Sequence, residues 1–418
     1  MSARPAEDAR LRLDLRLFFA YRFLSTAYLF VPVLVLFFQQ RGLDFTQIAL
    51  LNSVYALTAI VCEVPTGVLA DRFGRRRAMI AGALLMALGC LVNYRGQTFW
   101  VFALGEGLLA LGLTLSSGAD SAYLYDLLRD AGRADRYRAL EGRATAAKLV
   151  GGALALLLGG LVARHHLADT YVVSSVICVA AAFMAMLLRE RVMSIPHGGR
   201  VAFWSAVRSA GRIVLLRAPL RSAVLFSVVA FTLLRMGLYL QPTWLSAAGL
   251  DVAWIGAALA GLSLIGAVGA EGIETVRQRI GERSLVVLLP LVLGLCYLVL
   301  GQVGLPIGLV LMSFHAIANG VYSPLSKELL NREITDSAQR ATVLSVESAA
   351  RRIMFGAFAP VAGILIDSKG LSAGLEVTGA LGVLGAVVLM ISVARRAAIG
   401  KPDAAPWSDA SPAAPDRR

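Results

Sequence analysis

The chain has 418 residues, of which 57% are apolar and 16% charged, a balance that excludes an ordinary soluble globular protein and indicates a polytopic membrane protein. A formal charge of +13 would suit a nucleic-acid binder, but the lysines and arginines recur in short clusters between apolar runs, so the charge reads as membrane topology and no nucleic-acid partner is expected. The four cysteines, Cys62, Cys90, Cys178 and Cys296, lie in separate apolar runs without paired spacing, which supports neither a disulfide framework nor a zinc site.

Residues 1–16 mix arginines with acids, show no cleavable signal pattern, and read as an N-terminal tail. A membrane span needs about 20 mostly apolar residues. Runs at 17–39, 46–70, 78–95, 99–128, 139–163 and 169–188 predict six spans. Residues 189–218 then form a linker, in which Phe203, Val207, Ala210 and Val214 share one helical face and Arg208 and Arg212 another. That segment reads either as an interfacial helix or as a plain soluble connection. Six further runs follow at 219–244, 252–276, 285–301, 305–330, 341–366 and 373–395, before a Pro- and Ala-rich tail, 396–418, expected to be disordered. With both termini cytoplasmic, most basic residues fall on one side, and only Arg41, Arg95, Arg164 and Lys369 lie in loops on the other.

The two sets of six runs repeat one another. Gly42-Leu43-Asp44 recurs as Gly249-Leu250-Asp251, Ile48 as Ile255 and Gly74 as Gly281, all at the offset from 42 to 249. Gly118 and Asp126-Leu127-Leu128 recur as Gly320 and Glu328-Leu329-Leu330, and Arg138-Ala139 as Arg340-Ala341, at the nearby offset from 118 to 320. A near-constant displacement of this kind predicts a duplication, with bundles at 17–188 and 219–395.

Between the second and third runs stands Gly67-Val68-Leu69-Ala70-Asp71-Arg72-Phe73-Gly74-Arg75-Arg76-Arg77. It resembles the signature Gly-x-x-x-Asp-Arg-x-Gly-Arg-Arg of the major facilitator superfamily, filling every fixed position. The resemblance implies an all-α membrane protein of twelve transmembrane helices in two pseudo-symmetric six-helix bundles, working by alternating access. It also implies roles within the motif. Gly67 would allow close approach of another helix, Asp71 would face the start of the eleventh helix at Ala341 and Thr342, and Arg75 would pair with Asp126. Together with Arg72 and Gly74 these residues would form a latch between the halves. Arg76 and Arg77 read as topology determinants, and the second copy reads as decayed, with Gln278 for Asp71 and Glu282 for Arg75. Glu63-Val64-Pro65-Thr66-Gly67, Ser117-Gly118-Ala119-Asp120 and Arg340-Ala341-Thr342 look like bacterial efflux-type members. Two family patterns are incomplete: the helix 4 arginine is absent near Leu104 and Glu106, and Leu156 replaces the proline expected among Gly151, Ala155, Gly159 and Gly160.

Ionisable groups inside spans are costly and are functional candidates. Similar depths predict ion pairs of Arg22 with Glu63 and of Asp120 with Lys148, and the i, i+4 spacing predicts Glu347 with Arg351. Glu106, Arg235 and His315 have no evident partner on their own helices. Glu106 is the first proton-carrier candidate, and Arg235, near Tyr239 and Tyr28 in depth, suits an acidic group on a cargo. His315 reads either as a titrating group or as a neutral histidine bonded between helices.

The expected function is secondary active transport in a bacterial inner (cytoplasmic) membrane: proton-coupled export of a small amphipathic or acidic molecule by a monomer without cofactor or metal. Proton-coupled uptake of an organic metabolite is the alternative. An integral membrane enzyme or a transport-dead sensor is more remote, since His165 and His166 near Asp169 read as solvated surface rather than a catalytic cluster.

Overall fold

A computed structural model of the chain describes residues 3–190, 217–334 and 337–398, and among these every regular element is helical. The first half comprises α1 (Ala3–Leu24), a 3-10 turn (Val31–Val33), α2 (Leu34–Gln40), α3 (Phe45–Phe73), α4 (Arg75–Arg95), α5 (Phe99–Ser116), α6 (Ala119–Asp130), α7 (Tyr137–Ala163) and α8 (Asp169–Leu187). The second comprises α9 (Ala218–Ala247), α10 (Val252–Glu271), α11 (Ile273–Ile280), α12 (Glu282–Leu300), α13 (Leu305–Glu333), α14 (Ser337–Lys369) and α15 (Leu371–Ala398). Among the described residues, 11 helical stretches are long and apolar enough to cross a membrane. The predicted amphipathic piece of the linker and nearly all of the predicted C-terminal tail lie outside the described residues.

Three expected spans are broken. Residues 25–30 separate α1 from the turn holding Pro32, and the hydroxyls of Ser25 and Thr26 turn back to donate to the Arg22 carbonyl at 3.2 and 3.4 Å. Ser117 and Gly118, the latter at φ +84°, part α5 from α6, and Gly272 parts α10 from α11. At the other end, α1 starts at Ala3, inside the stretch expected as a tail. It does so because its charges find partners: Asp8 pairs with Arg133 at 2.7 Å, and the buried Asp14 meets Arg10 and Arg189 at 3.5 Å each.

The duplication is visible in local geometry. Gly42 and Gly249 adopt φ of +84° and +85°, and each precedes an N-cap aspartate, Asp44 receiving the Gln47 N–H and Asp251 the Ala253 N–H. Gly74 (φ +98°) and Gly281 (φ +83°) make the sharp breaks before α4 and α12. Glycines also bring helices together. A Cβ on Gly82 would stand 2.7 Å from the Gly112 carbonyl oxygen, and one on Gly294 2.8 Å from that of Gly379, so α4 packs on α5 and α12 on α15 at backbone contact.

The halves meet along α3 with α14 and along α7 with α10. The contact is tightest at the face opposite the Gly67–Arg77 hairpin, called here the distal face. There a Cβ on Gly363 would lie 2.8 Å from the Phe45 carbonyl oxygen, and one on Gly160 2.7 Å from that of Ala253. Asp367 accepts the backbone N–H groups of Phe45 and Thr46 at 2.9 and 2.8 Å, and Arg164 meets Asp251 at 3.7 Å. Further along, a Cβ on Gly356 would find Ser53 only at 3.7 Å, and at Gly67 it would find nothing within 4 Å among the described residues. The α3–α14 seam is thus a wedge, closed distally and widening toward the hairpin.

Candidate functional site

Some of the candidate residues sit within one half and others along this wedge. At its open end, Gly74 ends α3 and starts α4, so Arg75, Arg76 and Arg77 occupy the first turn of a helix. Cations are disfavoured there by the helix dipole, and carboxylates gather to offset them. Arg75 meets Asp126 at 3.3 Å and Asp71 at 4.0 Å. Arg76 and Arg77, expected only to set topology, both hold Glu190 at 2.8 Å, and Arg76 also donates to the carbonyls of Ala185 and Met186. They tie the end of α8 to the hairpin. Arg72 lies over the Phe73 ring at 5.7 Å. The Asp71 carboxylate is 55% exposed, and Gly67 has no helix packed upon it, so within the described residues this end is unlatched.

The second copy of the hairpin is not empty. Glu282, at the position of Arg75, meets Arg332 at 2.8 Å, and Arg277 meets Glu328 at 2.6 Å. Polarity is reversed, with an acid in the first turn of α12, where the dipole favours it.

Within the membrane-spanning helices lie the other candidates. Glu106 is buried in α5 and accepts a hydrogen bond from Asn93 Nδ2 of α4 at 3.0 Å, a partner on a neighbouring helix. Arg235 is half-buried in α9, has no carboxylate within 4.0 Å among the described residues, and its charge reaches Glu106, Tyr55 and Tyr239. Tyr239 crosses between the halves to donate to Asn52 Oδ1 of α3. His315 is buried within the second half, edge-on to Tyr297 with ring centroids 5.9 Å apart, against Gly237. Its Nε2 is buried without a hydrogen-bond partner among the described residues. Arg351 pairs with Glu347 at 2.7 Å as expected, donates to the Tyr322 hydroxyl at 3.2 Å, and stacks over Phe231 at 5.0 Å.

The other two anticipated pairs are replaced. Arg22 does not meet Glu63 but donates to Asp120 and, at 2.5 Å, to Glu141, whose other close partner is the Ser121 hydroxyl at 2.8 Å. Glu63 instead faces the second half, 3.7 Å from Arg352. Lys148 is left without a carboxylate within 4.0 Å among the described residues; the Thr26 hydroxyl bonds only its backbone carbonyl, at 3.0 Å. Depth along separate helices was the basis for the expected pairs, and rotation about each helix decides otherwise. The break after α1 turns Arg22 toward α6 and α7, while Glu63 lies on the face of α3 toward α14. Glu141, Asn93, Glu190, Arg352 and Asp367 had not been singled out. Asn93, as the one amide in the run 78–95, and Asp367, as an acid ending the run 341–366, carried the only signals that would have found them.

A fold of paired helical bundles with broken spans, a wedge between halves and partly paired intramembrane charges defines a membrane transport protein. Residues 17–325 match the Major Facilitator Superfamily, and the chain belongs to it. It is 29% identical over 107 residues to the inner membrane transport protein YajR of Escherichia coli (strain K12), a match covering 25% of this chain and 23% of that protein. It is 26% identical over 141 residues to the bacillibactin exporter of Bacillus subtilis (strain 168), covering 32% of this chain and 35% of that one. The matched stretches thus span a minor part of these relatives' own length. In fold it is similar to the crystal structure of the nucleoside transporter NupG, with a TM-score of 0.73 at 15% identity, over 91% of this chain and 98% of that one.

Proposed function

We infer that the protein is a secondary active transporter that exports a small amphipathic or acidic molecule in exchange for protons, by alternating access, across a bacterial cytoplasmic membrane. In this reading the segment Ala3–Gln40 counts as the twelfth span, both termini and the hairpin face the cytoplasm, and residues 17–188 and 219–395 move as the two bundles. The observation that carries it is the wedge itself: halves joined distally by Asp367, Thr46 and facing glycines, and parted at the hairpin, are one end-state of such a cycle. Glu106, buried in α5, is the proton carrier, and Arg235, a half-buried cation of the other half whose charge reaches it, responds to its protonation.

Asp71 and Arg75 act when the wedge reverses. The exposed Asp71 then reaches the start of α14, where unpaired N–H groups favour a carboxylate, and the hairpin end closes.

The test is flux in proteoliposomes under an imposed inward proton gradient, using compounds to which a deletion strain becomes sensitive. Extrusion driven by the gradient supports the reading. Cargo moving with the protons would replace it by uptake, and flux indifferent to the gradient would remove proton coupling.

A further inference from the structure

A partly open cavity of about 230 Å³ is lined wholly by the first half, with residues of two helix breaks in its wall, the one after α1 and the one between α5 and α6. This is room for several waters, or for one compact organic molecule. Its lining includes apolar Met86, Leu113 and Ala181 and the charged Arg22, Asp120 and Lys148.

The hydrogen-bonding inventory of its polar groups is unbalanced. Asp120 has committed one oxygen to Arg22 and the other to the Ser121 N–H, and Arg22 holds the nearer oxygen of Glu141. In the lining the unspent groups are Lys148, Arg22 Nε and the hydroxyls of Tyr21 and Ser116, all able to donate; the one unspent acceptor beside them, Glu141 Oε2, is on a residue outside the lining. Lys148 has no hydrogen bond or ion pair from its ammonium among the described residues. Arg22 Nε, on a residue 4% exposed, and Tyr21 Oη, on one 1% exposed, are shielded from solvent without partners there. Such groups are costly to bury unless something accepts from them. The N-terminal end of α6 also opens at Gly118 in the lining, and its dipole favours negative charge.

We propose that this cavity is a binding site for a small amphipathic monocarboxylate, its carboxylate on Lys148, Arg22 Nε and the Tyr21 hydroxyl and its apolar body against Met86 and Leu113. The proposal deepens the transport reading, on which it rests for the nature of the cargo. It places the acidic group of that cargo in the first half, not on Arg235.

The test is equilibrium binding of benzoate to the purified full-length protein by titration calorimetry, beside benzyl alcohol and benzylamine as uncharged and cationic matches. Wild type is expected to bind benzoate in preference to both. Lys148→Met should weaken binding by about tenfold or more while Lys148→Arg retains most of it. Tyr21→Phe, which removes an unpartnered hydroxyl and leaves the fold intact, should weaken it by about threefold and serves if Lys148→Met does not fold. No benzoate binding by wild type, equal binding of the alcohol or the amine, or binding untouched by Lys148→Met and Tyr21→Phe overturns the proposal. So does binding that survives Lys148→Met and is lost in Arg235→Met. Lys148-dependent binding in a protein that moves no cargo under any gradient would remove the transport reading and leave the site standing.

Discussion

Asp367, at the end of α14, accepts both the backbone N–H and the hydroxyl of Thr46, at the start of α3, at 2.8 and 2.6 Å. A carboxylate from one half thereby caps a helix of the other, satisfying a donor that the helix itself leaves free. Because the bond spans the halves, it exists only while the distal face is closed. Asp367→Ala is therefore expected to disfavour this state by about 1 kcal/mol, a several-fold shift in population toward the distally open form. Reaction of a cysteine introduced at Ser53 with a thiol reagent applied from the distal side should rise accordingly; an unchanged rate contradicts the role assigned to Asp367.

The same face is held by backbone contact. A Cβ on Gly256 would overlap the Leu156 carbonyl oxygen and stand 2.8 Å from Gly160 Cα, so no side chain fits while α7 and α10 touch. Gly256→Val should fold, since the change lies on a surface that parts in the proposed cycle, but should hold the distal face open and stop turnover. Full transport by this variant would show that the α7–α10 contact does not close in the cycle.

At the hairpin, the two latch residues are expected to separate by assay. Asp71 is more than half exposed and 4.0 Å from Arg75, so Asp71→Asn should change thermal stability by no more than about 0.5 kcal/mol yet lose most transport. Arg75→Gln removes the 3.3 Å partner of the largely buried Asp126, which Arg129 also meets at 3.4 Å, and should lower stability by about 1–3 kcal/mol. Melting curves of the two variants beside their flux decide the point. Equal loss of stability in both would contradict a latch that is open in this state.

Much of this architecture was legible in the sequence, because span length and repeated glycines are one-dimensional signals. Gly42 with Gly249 and Gly74 with Gly281 reappear as matched turns of positive φ. The helix breaks were less legible. Pro32 and Gly118 mark two of them, but Pro65, Pro242, Pro290, Pro324 and Pro360 lie within continuous helices, so neither residue type identifies a break by itself. Pairing of charges was the least legible. Arg22, Asp120, Glu141 and Lys148 come from helices whose relative rotation no sequence spacing encodes, and only Glu347 with Arg351, on one helix, could be read directly.

Arg22 is the centre of that cluster. Its loss would leave Asp120 and Glu141 without their counter-charge in the bilayer, and Arg22→Met is expected to cost about 3–5 kcal/mol and to reduce the yield of folded protein. Restored folding in the triple variant Arg22→Met, Asp120→Asn, Glu141→Gln would show that the penalty is electrostatic. No recovery would assign it to lost packing over Phe18, which Arg22 covers at 5.7 Å.

Glu106→Gln keeps an amide oxygen for the Asn93 donor, so the variant should fold and bind as wild type does while losing its response to a proton gradient. Gradient-driven flux in this variant would move the proton site elsewhere.

Reversal of the wedge would be read directly in two distances. Spin labels at Gln40 and Lys369 would report the distal face, and labels at Phe73 and Arg279 the hairpin face, in protein reconstituted into liposomes with and without an imposed proton gradient. The two distances are expected to change in opposite senses, the distal one lengthening as the hairpin one shortens. Two distances that stay fixed, or that change together, would contradict it.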